Sequence, residues 1–167
     1  MQKYKTLILV ASTVIMLDQL TKAVIIHYLS LHQSIEVIGG FFNITHIRNP
    51  GAAFGIFRGS NEIFRTLFLT GISIAALVVI FFVYRGVKDT ASRIALSLIA
   101  GGAVGNLIDR IRFGEVIDFL DFYAGSYHWP AFNVADSAIT AGVFLAVFFF
   151  SGSRPLTHSV KGRPPKG

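Results

Sequence analysis

Several acidic residues of this chain stand where an apolar sequence gives them no water to face. Asp18 and Lys22 lie four residues apart in one hydrophobic run, Asn106 and Arg110 four apart in another, and Asn133 and Asp136 three apart in a third. Residues three or four apart share a helix face, so each pair points one way. Asp109 adds a carboxylate beside Arg110, and Asp118 follows shortly after. An ionisable group inside an apolar membrane helix costs roughly 2.5–3.5 kcal/mol on insertion scales, so its position is informative. Two carboxylates at one site cannot easily both ionise; one pKa rises and the pair shares a proton. The ionised member can take a proton from water as it attacks a peptide carbonyl. The protonated member can donate to the carbonyl oxygen and then to the leaving amine. Such a cleavage needs no metal, cofactor or covalent intermediate.

Plainer roles exist for most of these groups. Asp18 with Lys22 fits a structural ion pair, and Asp109 with Arg110 a buried or interfacial one. Asn106 and Asn133 fit hydrogen bonds between helices, and Gly101 and Gly105 fit close helix packing. Asp118 alone reads as an ordinary loop carboxylate, with Asp121 three residues away. Asp136, well inside an apolar run, has the weakest plain explanation. Other chemistries have less to stand on. The chain has no cysteine, which excludes disulfides, thiol nucleophiles and Cys-ligated metals. His27, His32, His46, His128 and His158 lack zinc-ligand spacing. Ser126 near His128 is a weak nucleophile signal, and there is no phosphate-binding glycine loop. A polar transport route or a non-catalytic scaffold are the alternatives from other classes. Residues 94–100 and 141–150 contain no ionisable side chain, which counts against a route across the membrane.

The elements that must hold these groups are membrane helices. The chain is 53% hydrophobic and 14% charged, against about 25% charged for a soluble domain. Four segments, residues 6–28, 66–84, 92–111 and 132–150, approach the ~20 apolar residues that span a bilayer. The first carries Asp18 and Lys22 and lacks a small-residue cleavage site, so it reads as a retained helix rather than a signal peptide. Lys3, Lys5, Arg85, Lys88, Arg93, Arg154, Lys161, Arg163 and Lys166 fall on one side of the membrane. Arg48, Arg58, Arg65, Arg110 and Arg112 fall on the other. The positive-inside rule then puts both termini in the cytoplasm. It also explains the +6 charge without nucleic acid. Asp18, Lys22, Asn106, Asp109, Arg110, Asp118, Asn133 and Asp136 all come to one depth, near the outer surface. The expected fold is a mainly α membrane protein with four transmembrane helices and a small outer-surface β-sheet. Residues 1–150 form the membrane domain, including a β region at about 35–57 marked by alternation around Gly39-Gly40 and Pro50-Gly51. Residues 112–131 form a second outer loop, and 151–167 a basic, disordered cytoplasmic tail.

Five stretches resemble the sequence blocks of bacterial lipoprotein signal peptidase (signal peptidase II), in that family's order. They are Asp18-Gln19-Leu20-Thr21-Lys22, Arg48-Asn49-Pro50-Gly51-Ala52-Ala53-Phe54-Gly55, Gly105-Asn106-Leu107-Ile108-Asp109-Arg110, Val116-Ile117-Asp118-Phe119 and Phe132-Asn133-Val134-Ala135-Asp136-Ser137. The resemblance covers residues 5–150 and implies that Asp118 and Asp136 are the catalytic aspartates. It implies supporting or substrate-binding roles for Asp18, Asn49, Asn106, Arg110 and Asn133, to which Lys22 and Asp109 are added by their place in the same polar cluster, with no metal and no cofactor. It further implies a monomer in the bacterial inner membrane, among membrane lipids, that cleaves prolipoproteins on the amino side of a diacylglyceryl-modified cysteine and is inhibited by the cyclic peptide globomycin. By the same resemblance, 35–57 matches a β-cradle resting on the membrane, and 123–130 a periplasmic helix that could act as a lid.

Overall fold

A computed structural model describes residues 2–51 and 61–152. In order, these form α1 (Gln2–Tyr28), β1 (Ser34–Ile38), β2 (Phe42–Asn49), α2 (Glu62–Gly86), α3 (Thr90–Phe113), β3 (Val116–Ala124), β4 (Tyr127–His128) and α4 (Val134–Gly152). The expected β residues beyond Gly51 and the basic tail beyond Gly152 lie outside the described residues.

α1, α2 and α3 have 27, 25 and 24 residues, and each is long and apolar enough to cross a membrane. The apolar stretch of α4, Val134–Phe149, is shorter. Local capping chemistry sets the ends, and the helices extend beyond the expected limits where a cap is available. Asn61 accepts from the Ile63 N–H at 2.8 Å to start α2, and Asp89 accepts from the Ser92 N–H at 2.7 Å to start α3. Gly114, at φ 77°, closes α3 with its N–H on the Arg110 carbonyl at 2.9 Å, a left-handed position that favours glycine. α4 was expected to begin at Phe132, but Phe132 exchanges backbone hydrogen bonds with Leu120 of β3. Asn133 is the residue that caps α4, accepting from the Asp136 N–H at 2.9 Å.

α3 is the central helix, packed against α1, α2 and α4. Gly102 allows its contact with α4, because a Cβ there would lie 2.3 Å from the Ala135 carbonyl oxygen. That neighbour is backbone and cannot swing aside. Gly102→Ala is therefore expected to cost about 1–3 kcal/mol or more through overpacking, read as a lower melting temperature in detergent. An unchanged melting temperature would show that the two helices can separate freely.

A polar cluster lies in the interior beside small apolar cores, and the exterior is apolar. Asp18, Lys22, Asp109, Asp118 and Asn133 are almost completely buried, while Ile8, Phe144 and Phe148 on the helix surfaces are 65%, 73% and 74% exposed. This inversion, with intramembrane ionisable groups facing the bundle interior, is what lipid as the outer solvent requires.

The four strands form one antiparallel ribbon in the order β1-β2-β3-β4 at one end of the bundle. β1 and β2 match the alternation around Gly39-Gly40. β3 lies within the segment expected to be a loop, and its first four residues are all buried, so no alternation marked it as a strand. The helix expected at 123–130 is absent. The chain turns back at Gly125, φ 60°, Tyr127 and His128 pair with Ala124 and Tyr123, and the Trp129 N–H bonds the Phe122 carbonyl at 2.8 Å. These strand-type bonds take the backbone groups that a helix needs.

Candidate active site

The site assembles at the sheet end of the bundle from β2, β3, α1, α3 and the first turn of α4. β3 carries Asp118 opposite Ile47 of β2, two residues before Asn49. Asn49 Nδ2 donates to Asp118 Oδ2 at 2.8 Å, and its own Oδ1 accepts from the Gly51 N–H at 2.8 Å, which fixes the direction of the amide. Asn133 Nδ2 donates to the other Asp118 oxygen at 2.8 Å and lies 3.1 Å from both the Ile117 carbonyl and Asn106 Oδ1. Asn106 Nδ2 donates to Asp136 Oδ1 at 2.7 Å. Asp118 and Asp136 are thus the two ends of one amide relay, Asp118–Asn133–Asn106–Asp136.

Behind the relay lies a buried charge cluster. Lys22 Nζ reaches Asp18 Oδ2 at 2.8 Å, Asp109 Oδ2 at 2.7 Å and Asn106 Oδ1 at 3.1 Å, three acceptors for three ammonium protons. Asp18 Oδ1 accepts from the Ala135 N–H at 2.9 Å, so a carboxylate of α1 satisfies a free donor in the first turn of α4. Asp109 Oδ2 also accepts from the Ile117 N–H at 3.2 Å, tying α3 to β3. Gly105 leaves room for this cluster, since a Cβ there would lie 2.7 Å from Asp18 Oδ2.

Eight of the nine expected site residues, Asp18, Lys22, Asn49, Asn106, Asp109, Asp118, Asn133 and Asp136, are joined by these bonds. Arg110 is the exception. Expected to brace Asp109 or the loop carrying Asp118, it instead points to α2, with Nη1 3.4 Å from Ser73 Oγ. Successive helical residues point in different directions, so Asp109 faces Lys22 while its neighbour faces away. The guanidinium still lies within electrostatic reach of Asp136, Asp109 and Asp118. Gln19 had no assigned role. Its Nε2 lies 3.2 Å from Asp18 Oδ2, 3.2 Å from the Gly105 carbonyl and 3.0 Å from Asp109 Oδ1. The available signal was its place three residues before Lys22.

Burial pushes the Asp118 carboxyl up to about 7, and the nearby Asp136 charge adds to this; the bonds from Asn49 and Asn133 and the charge of Lys22 oppose it. The folded chain therefore holds this proton through a range where the unfolded chain releases it. The associated stability is present below the ordinary carboxylate range and is lost as pH rises through about 7. Asp136 opens onto a mainly apolar cavity of about 440 Å³, lined also by Trp129, Phe132, Ser137, Thr140, Ala141 and Phe144. Its size suits an extended peptide or acyl segment. Among the described residues, no three His, Cys, Asp or Glu side chains gather as metal ligands would. What the arrangement can do is share one proton between two carboxylates at the mouth of an apolar groove.

A family model described as signal peptidase (SPase) II matches residues 10–151. A lipoprotein signal peptidase of Syntrophus aciditrophicus (strain SB) is 52% identical over 142 residues, covering 84% of this chain and 88% of that protein. One from Desulforapulum autotrophicum is 53% identical over 144 residues, covering 85% and 89%. Among solved structures, one described as a bacterial membrane enzyme determined by the in meso method is 38% identical with a TM-score of 0.77, covering 90% of this chain and 95% of that one.

Proposed function

The chain belongs to the signal peptidase II family and is a membrane protease that removes signal peptides from prolipoproteins; we propose that it does so as an aspartic endopeptidase, with Asp118 and Asp136 as the catalytic pair. The observation that carries this reading is the amide relay joining the two carboxylates beside an apolar groove. The ionised aspartate takes a proton from the attacking water. The protonated one donates to the scissile carbonyl and then to the leaving amine. The Asn49, Asn133 and Asn106 amides hold the carboxylates in register, and Asp18, Lys22 and Asp109 hold the helices that carry them. Arg110 adds a positive charge that offsets the acidic cluster. The bond cleaved is on the amino side of a diacylglyceryl-modified cysteine; the enzyme works as a monomer with no cofactor, and globomycin inhibits it.

A gel-shift cleavage assay tests this reading, with purified protein, a diacylglyceryl-modified prolipoprotein and its unmodified counterpart. Cleavage of the modified form alone, blocked by globomycin, is the expected result; no cleavage of a verified modified substrate would sink it. The pair needs one proton to act, so kcat/KM is expected to fall about tenfold per pH unit above an apparent pKa near 7. A profile that stays flat through that range would remove Asp118 from the proton-sharing pair.

The same reading has four transmembrane helices, with α4 crossing despite its shorter apolar stretch, in the bacterial inner membrane. Both termini lie in the cytoplasm, and the sheet rests as a cradle on the outer surface. Support comes from the charge bias and from the capped start of α4 beside the sheet. The chain has no cysteine, so an introduced one is the sole target for a maleimide. Ser126→Cys, in the β3–β4 turn, is expected to react with a membrane-impermeant maleimide in intact spheroplasts. Lys88→Cys, between α2 and α3, should react only after lysis, and the opposite pattern would invert the topology.

A further inference from the structure

Apart from the aspartate pair, the last turns of α1 and α3 and the start of β3 enclose a second cavity, of about 400 Å³. Gln19, His27 and Arg112 stand in its wall and the Lys22–Asp109 ion pair lies behind them. Next to it, the Phe113 ring carries two guanidiniums, with Arg48 Cζ 4.4 Å and Arg112 Cζ 4.7 Å from its centroid. These distances hold two like charges inside the roughly 10 Å screening length of 0.1 M salt. Among the described residues, neither has a carboxylate partner. All nine acidic side chains of the chain fall among the described residues, and the ion pairs they form with other described residues are with Lys22 and His128. Arg112, exposed, spends one N–H on a long 3.5 Å contact with Gln19 Oε1, leaving most of its five donors unused. The cavity's own acid, Asp109, is fully buried and engaged by Gln19, Lys22 and the Ile117 N–H rather than by Arg112.

Two uncompensated guanidiniums, pre-positioned on one ring at the edge of a mixed polar and apolar cavity, fit a planar or tetrahedral oxyanion. The cavity's depth narrows the source of that anion. It lies where two apolar helices end and the sheet begins, which is the level of lipid phosphates in the topology proposed above. We propose that this α1–α3 groove binds the phosphodiester headgroup of a phospholipid. Arg112, held by the Gln19 amide oxygen, is its main anchor, Arg48 adds charge across Phe113, and His27 donates a hydrogen bond from α1. The acyl chains then follow the apolar face of α1 past Ala23 and Ile26. The site uses neither Asp118 nor Asp136, so it stands or falls separately from the cleavage mechanism.

The test is native mass spectrometry of the full-length protein released from detergent, titrated with dioleoylphosphatidylglycerol. Dioleoylglycerol has the same chains without phosphate, and inorganic phosphate represents the free anion. The expected result is one retained phospholipid per chain, with no stoichiometric dioleoylglycerol or phosphate adduct. Arg112→Gln is expected to weaken retention about tenfold, the loss of a charge-assisted hydrogen-bonded pair, and Arg112→Lys to recover part of it. Both variants change an exposed side chain, and their melting temperatures in lipid-free detergent report folding independently. Retention by Arg112→Gln equal to wild type, or equal retention of dioleoylglycerol, would overturn the site. An adduct with inorganic phosphate alone would overturn the lipid as its ligand.

Discussion

Asp136→Asn is expected to fold like the wild type and to lose cleavage by a factor on the order of 10⁴, the upper end of what a single acid–base group supplies. The substitution is nearly silent structurally. One Asp136 oxygen accepts from Asn106 Nδ2 at 2.7 Å, and the new amide oxygen can keep that bond. Asp118→Asn should lose activity to the same extent but also cost stability. Both Asp118 oxygens accept from amide nitrogens, Asn49 on one side and Asn133 on the other, so any orientation of a new amide sets one N–H against another. The Asn49 amide cannot turn to relieve this without giving up the Gly51 N–H. An unsatisfied buried donor costs about 1–3 kcal/mol, read as a melting temperature a few degrees below that of Asp136→Asn. Wild-type-like turnover in folded Asp136→Asn would end the aspartate-pair mechanism. Equal melting temperatures for the two variants would mean that Asp118 is less tightly held than its two amide bonds require.

The convergence of these groups was legible in the sequence because charge inside an apolar helix is costly and needs a partner at its own depth. Asp18 and Lys22 do pair, as their spacing indicated. The partners across the bundle were not legible. Asp109 stands next to Arg110 in the chain yet pairs with Lys22 of α1, a choice made by how α3 is rotated between its neighbours. Periodicity within α3 leaves that rotation open, since its apolar residues lie all around the helix. β1 and β2 were visible because Gly39-Gly40 breaks an alternating run. β3 was not, because a strand buried on both faces has no alternation to read. The resemblance supplied the residue blocks, but it misplaced a helix at 123–130, where Gly125 and the Tyr123–His128 pairing make a hairpin.

Lys22→Met should be the most destabilising single change in the chain, by about 3–5 kcal/mol, the usual consequence of removing one partner from a buried ion pair. Lys22 is 1% exposed and Asp18 and Asp109 are fully buried, so water cannot replace the ammonium. Two carboxylates would then face each other with their charge uncompensated, and Asp18 could leave only by releasing the Ala135 N–H at the head of α4. The damage would also reach the catalytic relay. Asn106 Oδ1 is held by Lys22 and Asn133, and that is what turns its Nδ2 toward Asp136. Without Lys22 the Asn106 amide has less reason to keep this orientation, so any folded fraction should cleave slowly as well. Adding Asp109→Asn removes one excess charge, so Lys22→Met/Asp109→Asn is expected to melt above Lys22→Met alone, with the coupling measured by a double-mutant cycle. Gln19 would then need to turn its amide to meet the new side chain, which keeps the recovery partial. If Lys22→Met melts with the wild type, the cluster is not the brace that joins α1, α3 and α4. If it melts lower but the second substitution gives nothing back, the loss comes from packing around the lysine stem rather than from unpaired charge.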